Sequence, residues 1–237
     1  MNIKGSRVLV TGTNRGIGRS FVEALVERGA ERVYAAARSS SIGDVPKGDR
    51  IVPVALDVTN ADQISAAVSQ VGEVDLLINN AGTLRSFGLL EATQAQLDHD
   101  FGVNFFGTLN LTKALVPTLE RTKGSVLNVL TLVSMASMAG IGGYAASKAA
   151  AWSMTQALRS ELGKKGIGVY ATYPGAVDTD MIRAFEMDKA TPRSVADNSL
   201  DAIEKGEVDC FPDAMSKQAG GAWLKNPRAL EEMFASM

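Results

Sequence analysis

Thr11-Gly12-Thr13-Asn14-Arg15-Gly16-Ile17-Gly18 is the stretch of sequence that decides the fold. It follows the apolar run Arg7–Thr11 and leads directly into the amphipathic segment Ile17–Gly29. Glycines let a backbone turn sharply and approach a ligand closely, and the free N–H groups at a helix N-terminus attract anions. The order strand, glycine turn, helix therefore predicts a phosphate cradle for a dinucleotide, although the spacing departs from the generic G-x-G-x-x-G pattern. A tight turn without a ligand is the alternative.

The alternation of strand and helix continues along the chain. Short apolar runs predict six strands, at Arg7–Thr11, Val33–Ala37, Ile51–Ala55, Leu76–Asn79, Val126–Leu130 and Gly168–Ala171, with a weaker seventh at Glu207–Phe211. Helical spacing of apolar residues predicts helices at Ile17–Gly29, Ala61–Val71, Thr93–Glu120 and Tyr144–Lys164. This order predicts a single α/β domain over residues 1–237, in which helices cover both faces of a doubly wound parallel sheet. Ligands on such sheets bind beyond the carboxyl ends of the strands.

Composition excludes several classes of function. The 237 residues carry 24 Lys and Arg against 26 Asp and Glu, so no basic excess points to a nucleic-acid partner. No apolar run has the length of a membrane span, and the first residues lack the apolar stretch of a signal peptide, so we expect a cytoplasmic protein without a membrane partner. The sequence has one cysteine, Cys210, and one histidine, His99, so it predicts neither an internal disulfide nor a metal site.

The end of the second predicted strand indicates which dinucleotide binds. Ala37 is followed by Arg38, and no acidic residue stands at this point. An acid here would bind the ribose 2′-hydroxyl of NAD, whereas an arginine neutralises the 2′-phosphate of NADP. Arg38, together with Arg15, therefore favours NADP, with NAD as the alternative if Arg38 is an ordinary solvated charge.

Tyr144 and Lys148 are the candidate acid/base pair. Their i,i+4 spacing on a predicted helix puts the phenol and the ammonium on one face. A nearby cation favours the phenolate, which predicts a lowered pKa for Tyr144. Such a phenol exchanges a proton with the oxygen of a carbonyl or alcohol.

Four motifs in chain order resemble those of the short-chain dehydrogenases/reductases (SDR). T-G-x-x-x-G-x-G matches Thr11–Gly18, N-N-A-G matches Asn79–Gly82, Y-x-x-x-K matches Tyr144–Lys148, and P-G matches Pro174–Gly175. The resemblance covers most of the chain. It implies a Rossmann-fold oxidoreductase that transfers a hydride between a nicotinamide dinucleotide and a small-molecule carbonyl or alcohol substrate.

The resemblance also implies roles for individual residues. Tyr144 is the general acid/base, Lys148 lowers its pKa and binds the nicotinamide ribose, and Asn104 anchors a proton-relay water. Asp57 and Val58 flank the adenine, and Thr179 touches the carboxamide. The residues expected to contact the dinucleotide are Gly12, Thr13, Asn14, Arg15, Gly16, Ile17, Gly18, Arg38, Asp57, Val58, Asn80, Ala81, Gly82, Tyr144, Lys148, Pro174, Gly175, Val177 and Thr179.

Thr131 departs from the family pattern. The family carries a serine 13 positions before the tyrosine, where it polarises the carbonyl oxygen, and here that position is Thr131. Threonine keeps the hydroxyl, so Thr131 is expected to orient the substrate, and its extra branch narrows the pocket or slows turnover. Ser134 is the alternative if the loop is shifted.

The remaining expectations concern substrate, assembly and rival functions. The segment 181–192 is expected to form the substrate loop, and Met181, Ile182, Phe185 and Met187 suggest an apolar lid or the inner face of a short helix. The resemblance implies a homodimer or homotetramer. Two rivals stay open: a dinucleotide-binding regulatory protein with little turnover, and a sugar-nucleotide epimerase or dehydratase, for which the C-terminal region is short.

Overall fold

A parallel sheet of seven strands forms the centre of the protein. The computed structural model describes residues 1–86 and 88–235. The strands are β1 Arg7–Thr11, β2 Arg32–Ala37, β3 Ile51–Ala55, β4 Leu76–Asn79, β5 Ser125–Val129, β6 Gly168–Thr172 and β7 Asp209–Cys210. They lie in the order β3-β2-β1-β4-β5-β6-β7, which confirms the doubly wound fold. The order reverses between β1 and β4, so the crevice for a ligand lies at their carboxyl ends.

Helices cover both faces of this sheet. They are α1 Gly16–Glu27, α2 Ala61–Val71, α3 Gln94–Phe101, α4 Thr108–Thr122, α5 Gly142–Gly163, α6 Pro192–Lys205, α7 Ala214–Lys225 and α8 Pro227–Ala235. Successive side chains of a strand point to opposite faces. Leu9 accordingly packs in the core with α2, α4 and α5, whereas Val8 and Val10 pack with α1 and α6. Two buried cores thus hold the strand ends in place.

The long predicted helix Thr93–Glu120 is interrupted in the structure. A capping box formed by Thr93 and Gln96 starts α3, and a π-helical turn at Gly102–Gly107 separates it from α4. At Gly107 a Cβ atom would lie 2.6 Å from Val58 Cγ2, so the turn packs tightly against the segment after β3. Hydrophobic periodicity does not detect one extra residue in a turn, and such π turns are frequent at functional sites.

The C-terminal region contains more structure than the sequence indicated. The predicted strand Glu207–Phe211 is reduced to β7, which pairs only with Ala171 and Thr172 of β6. Beyond it, α7 and α8 fold back, and Leu230 and Phe234 of α8 are buried. These helices close the carboxyl end of the sheet. Within the described residues, no helix is both long and apolar enough to cross a membrane.

Candidate active site

A cavity of 580 Å³ opens at the carboxyl ends of the strands. Most of the predicted site residues line it. The predicted dinucleotide contacts in its wall are Gly12, Asn14, Arg15, Gly16, Ile17, Gly18, Arg38, Asp57, Val58, Asn80, Ala81, Gly82, Tyr144, Lys148, Pro174, Gly175, Val177 and Thr179, and Thr131 is there as well. The fold thus brings together segments that are far apart in sequence.

The glycine turn has no room for side chains. A Cβ on Gly18 would lie 2.0 Å from the Gly12 carbonyl oxygen, and one on Gly12 would lie 3.0 Å from Ala81 Cα. Gly16 has a φ of 55°, and a Cβ there would lie 3.1 Å from Thr179 Cγ2. The backbone therefore borders the cavity at the N-terminus of α1, where its N–H groups and the helix dipole favour a pyrophosphate. The turn fits the predicted phosphate cradle.

Side chains of β1 and the loop after β4 hold the turn. Thr11 Oγ1 accepts hydrogen bonds from the backbone N–H of Asn80 at 3.0 Å and of Ala81 at 2.9 Å. In return, the Asn80 amide donates to the carbonyl oxygens of Thr11 at 2.8 Å and Gly12 at 3.1 Å. Asn80 thus fixes the backbone of the glycine turn. The family resemblance implied only that Asn80 supports the cofactor.

Thr13 does not belong to the cavity wall. Its side chain is fully buried, and its hydroxyl donates to the Ala36 carbonyl oxygen at 3.1 Å. The backbone N–H of Thr13 donates to the same oxygen. Thr13 therefore ties the glycine turn to β2, and its contact with the dinucleotide stays a prediction.

Charged residues surround the end of the cavity near β2 and β3. Arg38 is exposed directly after β2. Burial by itself raises the pKa of Asp57, but hydrogen bonds from Thr59 outweigh burial and the charge of Arg38 adds to them, so the pKa is lowered. Asp57 is thus held as a carboxylate, and the Arg38 guanidinium is the cation at this end of the cavity.

An ion pair joins two segments of the cavity wall. Arg15 of the glycine turn donates to Asp180, which follows Thr179, at 3.0 Å. Arg183 binds the same carboxylate. Because the Arg15 side chain is 65% exposed, this pair is weak and easily exchanged for another anion. It links the glycine turn to the segment predicted to contact substrate.

Tyr144 and Lys148 lie one helical turn apart at the start of α5, and both are buried. Lys148 Nζ donates to the Val129 carbonyl oxygen at 3.0 Å. Burial lowers the pKa of the Lys148 ammonium to about 8, against the opposing effect of the Asp100 charge. Burial also raises the pKa of the Tyr144 phenol, and Asp100 raises it further. This differs from the predicted lowering by Lys148, because desolvation of the phenolate dominates in the protein itself.

Asn104 lies behind the cavity wall, in the π-helical turn. Its amide donates to the Thr83 carbonyl oxygen and to Ser147 Oγ, both at 2.9 Å, and its oxygen accepts from the Thr83 N–H. Ser147 in turn donates to the Tyr144 carbonyl oxygen at 2.7 Å. A Cβ on Gly82 would lie 3.4 Å from Asn104 Oδ1 and 3.6 Å from Lys148 Nζ. The glycine therefore leaves space beside both groups.

Thr131 and Ser134 were alternative substrate-orienting hydroxyls. Thr131 is half-buried in the cavity wall. Ser134 is buried outside that wall, and its hydroxyl donates to the Thr131 carbonyl oxygen at 2.5 Å. The geometry favours Thr131, and Ser134 supports the turn that carries it.

Part of the remaining cavity wall is apolar. Its side chains come from four separate segments, and they include Met138, Ile141, Phe185, Met187, Met215 and Phe234. Sequence reasoning identified only those between residues 181 and 192. It missed α7 and α8, although the amphipathic spacing of Leu230 and Phe234 was a usable signal. It also missed Asp213, which caps α7 and accepts a hydrogen bond from the Gly175 N–H at 2.9 Å.

Comparison with known proteins gives consistent results. A family model described as short chain dehydrogenase matches residues 6–190. The 3-oxoacyl-[acyl-carrier-protein] reductase FabG of Vibrio cholerae is 32% identical, over 81% of this chain and 81% of that protein. A short chain dehydrogenase from Burkholderia cenocepacia, solved in complex with NADP, is 36% identical with a TM-score of 0.93 and 99% coverage of both chains. A Burkholderia phymatum SDR solved with NAD, 22% identical with a TM-score of 0.83 over 96% of this chain and 93% of that one, shares the fold.

Proposed function

The chain belongs to the short chain dehydrogenase family and is a nicotinamide-dependent oxidoreductase of carbonyl and alcohol groups, and we propose that it is an NADP-preferring reductase of ketones or aldehydes. One observation carries the proposal. The buried pair Tyr144 and Lys148 shares a cavity with the glycine turn and with the Thr131 hydroxyl. A proton donor, a phosphate cradle and a carbonyl-binding group thus border the same space.

The residues present fit a nicotinamide dinucleotide. The turn from Gly12 to Gly18 excludes side chains from the space that a pyrophosphate needs, and Gly82 leaves room beside Lys148. Asp57 and Val58 border the adenine end, and Thr179, Val177 and the Pro174-Gly175 turn border the nicotinamide end. When bound, the dinucleotide supplies the hydride for reduction or accepts it for oxidation.

NADP preference rests on charge. Arg38 is an exposed cation with no acidic residue before it at the end of β2, and Arg15 lies in the adjoining glycine turn. A 2′-phosphate adds negative charge that a guanidinium binds well. The Burkholderia cenocepacia relative was solved with NADP, which supports the same choice.

The protonation state of Tyr144 supports its role as proton donor in reduction. Burial keeps the Tyr144 phenol protonated, because it raises the pKa of this group. A protonated phenol is suited to donate its proton to a carbonyl oxygen while Thr131 hydrogen-bonds that oxygen. Lys148 stabilises the phenolate that remains, and Asn104 anchors the water through which the proton is replaced. The same residues serve the reverse oxidation.

The substrate is proposed to carry apolar substituents. The loop 181–192 contributes Phe185 and Met187 to the cavity, and α8 contributes Phe234. Thioether and aromatic side chains bind hydrophobic groups of varied shape. The printed activity of the Vibrio cholerae relative, a 3-oxoacyl reductase, supports a ketone as the reducible group.

Self-association forms part of the proposal as a homodimer or homotetramer. Phe106 in the π-helical turn is 53% exposed, and a second copy would bury such an apolar side chain. The measurement is light scattering of the purified protein, where a monomer mass would contradict this part.

Enzyme assays test the proposed reaction. NADPH and NADH consumption is measured with a panel of aldehydes, ketones and diketones, for wild type, Tyr144→Phe, Arg38→Ala and the control Tyr170→Phe, whose ring lies outside the cavity wall. Loss of the proton donor is expected to lower turnover by about 10²- to 10⁴-fold. Arg38→Ala is expected to weaken NADPH use and spare NADH use. Dinucleotide binding without turnover on any substrate would support the regulatory alternative instead.

A further inference from the structure

Asp100 is a fully buried carboxylate that the reaction described above does not use. It lies near the end of α3, four residues before Asn104, and its side chain has no exposed surface. Its Oδ1 accepts from the Arg85 N–H at 2.9 Å, and its Oδ2 accepts from the Ser86 N–H at 2.9 Å and from the Ser86 hydroxyl. A buried charge is costly unless hydrogen bonds satisfy it, and here three donors from the loop after β4 satisfy the carboxylate.

These hydrogen bonds fasten the loop that follows β4. Asp100 holds Arg85 and Ser86, and Asn104 holds Thr83 through two further hydrogen bonds. Leu84 lies between these anchors, and both Thr83 and Leu84 line the active-site cavity. The acid and the amide of neighbouring turns therefore fix one wall of the cavity together.

The same loop supports the start of α5. A Cβ on Gly143 would lie 2.4 Å from Ser86 Oγ, so the helix approaches the serine as closely as its backbone allows. Gly143 directly precedes Tyr144. A continuous packed path thus runs from Asp100 through Ser86 to the backbone of α5 directly before Tyr144.

We propose that Asp100 is a positioning residue for the catalytic pair: it fixes the loop 83–86 against the start of α5 and adds a buried negative charge to the surroundings of that pair. This rests on the proposed reductase function, because it concerns the same pair of groups. Asp100 itself is not among the residues that line the cavity.

Electrostatics support this geometry. Burial lowers the pKa of Lys148 to about 8, and the charge of Asp100 opposes that lowering. The same charge adds to the raised pKa of Tyr144. The other titratable groups near this carboxylate are Arg85 on the loop and Asp98 and His99 on α3; all three are exposed, so solvent screens them.

Removing the charge of Asp100 is expected to change the pH dependence of reductase activity. Without Asp100 the pKa values of Tyr144 and Lys148 both fall, because the carboxylate raises each of them. Reduction needs the protonated phenol and the charged ammonium. Both changes therefore lower the pH at which reductase activity is lost on the alkaline side of the profile. A loop that is merely loosened lowers the rate without moving this limb of the profile.

The test compares Asp100→Asn and Asp100→Ser, which are neutral, with Ser86→Ala, which loosens the same loop and retains the charge. The first readout is the NMR titration of Lys148 in isotope-labelled protein, assigned with Lys148→Arg, which requires no turnover. The second is kcat/KM for NADPH-dependent reduction against pH. Melting temperatures identify variants that fail to fold, and either neutral variant suffices for the comparison.

We expect a Lys148 midpoint near 8 in wild type and Ser86→Ala, and a midpoint lower by about half a pH unit or more in the neutral variants. The alkaline limb is expected to move in the same direction. A Lys148 midpoint that is equal in wild type and both neutral variants would overturn the proposal. If the titration shifts but wild type reduces no substrate, the proposed reaction fails while the role of Asp100 as counter-charge stands.

Discussion

The two ends of the cavity are built in different ways. At the dinucleotide end, backbone forms the wall: Gly12 and Gly18 pack against each other and against Asn80 with no space for a side chain. At the substrate end, side chains form the wall, and they come from the loop after β5, the segment 181–192, α7 and α8. The shape of the dinucleotide end is fixed by the backbone of the glycine turn, whereas the shape of the substrate end depends on how side chains from distant segments pack.

This difference separates what is rigid from what is adaptable. The glycine turn is held by hydrogen bonds of Thr11 and Asn80, and a shift of its backbone would break several of them. Met181 in the substrate segment is 43% exposed, and methionine side chains change shape at little cost. We therefore expect substitutions at the dinucleotide end to lower activity with every substrate, and substitutions at the substrate end to lower it with some substrates only.

Gly18→Ala is expected to have the largest effect. The new methyl group would lie 2.0 Å from the Gly12 carbonyl oxygen, so the turn must move. Overpacking of this kind costs about 3 kcal/mol, which corresponds to roughly a hundredfold loss of NADPH affinity if the cost falls on the bound state. Fluorescence titration with NADPH measures the affinity, and thermal unfolding measures any loss of stability.

Gly221→Ala is the matched control for that substitution. Gly221 lies in α7, and nothing stands within 4 Å of the position that its Cβ would occupy. Alanine in a helix interior stabilises by about 0.5–1 kcal/mol relative to glycine. Normal NADPH binding by Gly18→Ala would mean that the turn tolerates a side chain, and the contrast between the two ends would then be incorrect.

The same contrast explains how far the sequence predicted the molecule. The strands, the doubly wound parallel sheet and the position of the glycine turn were predictable, because local patterns of glycine and apolar residues encode them directly. Thr13 shows the limit of such a pattern: a motif specifies that a residue lies in the turn but leaves open whether its side chain faces the cavity or, as here, Ala36.

The missing parts required contacts between distant segments. The π-helical turn adds one residue to a pattern that otherwise matches an uninterrupted helix, so the break at Gly102 was not visible. No local pattern marks Asp100 as buried, because its burial depends on the loop at Ser86 packing against it. Phe234 belongs to the active-site cavity only because α8 folds back over it.

Phe185→Ala tests the adaptable end and has an intermediate effect. Phe185 is half-buried in the cavity wall, and its loss removes apolar contact from a bound substrate. Partial loss of such contact is worth about 1 kcal/mol, roughly a fivefold rise in KM for an aromatic ketone. KM for a two-carbon aldehyde and Kd for NADPH are expected to stay constant.

Leu224→Ala provides the comparison for Phe185→Ala. Leu224 is 70% exposed on α7 and lies outside the cavity wall, so its removal should leave all kinetic constants unchanged. An equal change in KM for large and small substrates in Phe185→Ala would show that this residue supports the whole site, and the substrate end would then be as rigid as the dinucleotide end.

The smallest effect is expected where the two ends meet. Asp180 on the substrate side binds Arg15 on the dinucleotide side, and a phosphate group would compete for the same guanidinium. Because exposed ion pairs contribute about 0.2–1 kcal/mol, Asp180→Asn should tighten NADPH binding by up to about fivefold, with a smaller gain at high salt. Asp178→Asn removes the same charge from an exposed site outside the cavity wall and controls for net charge. Weaker NADPH binding in Asp180→Asn would instead mean that the ion pair closes over the bound dinucleotide, so that the two ends act as one unit.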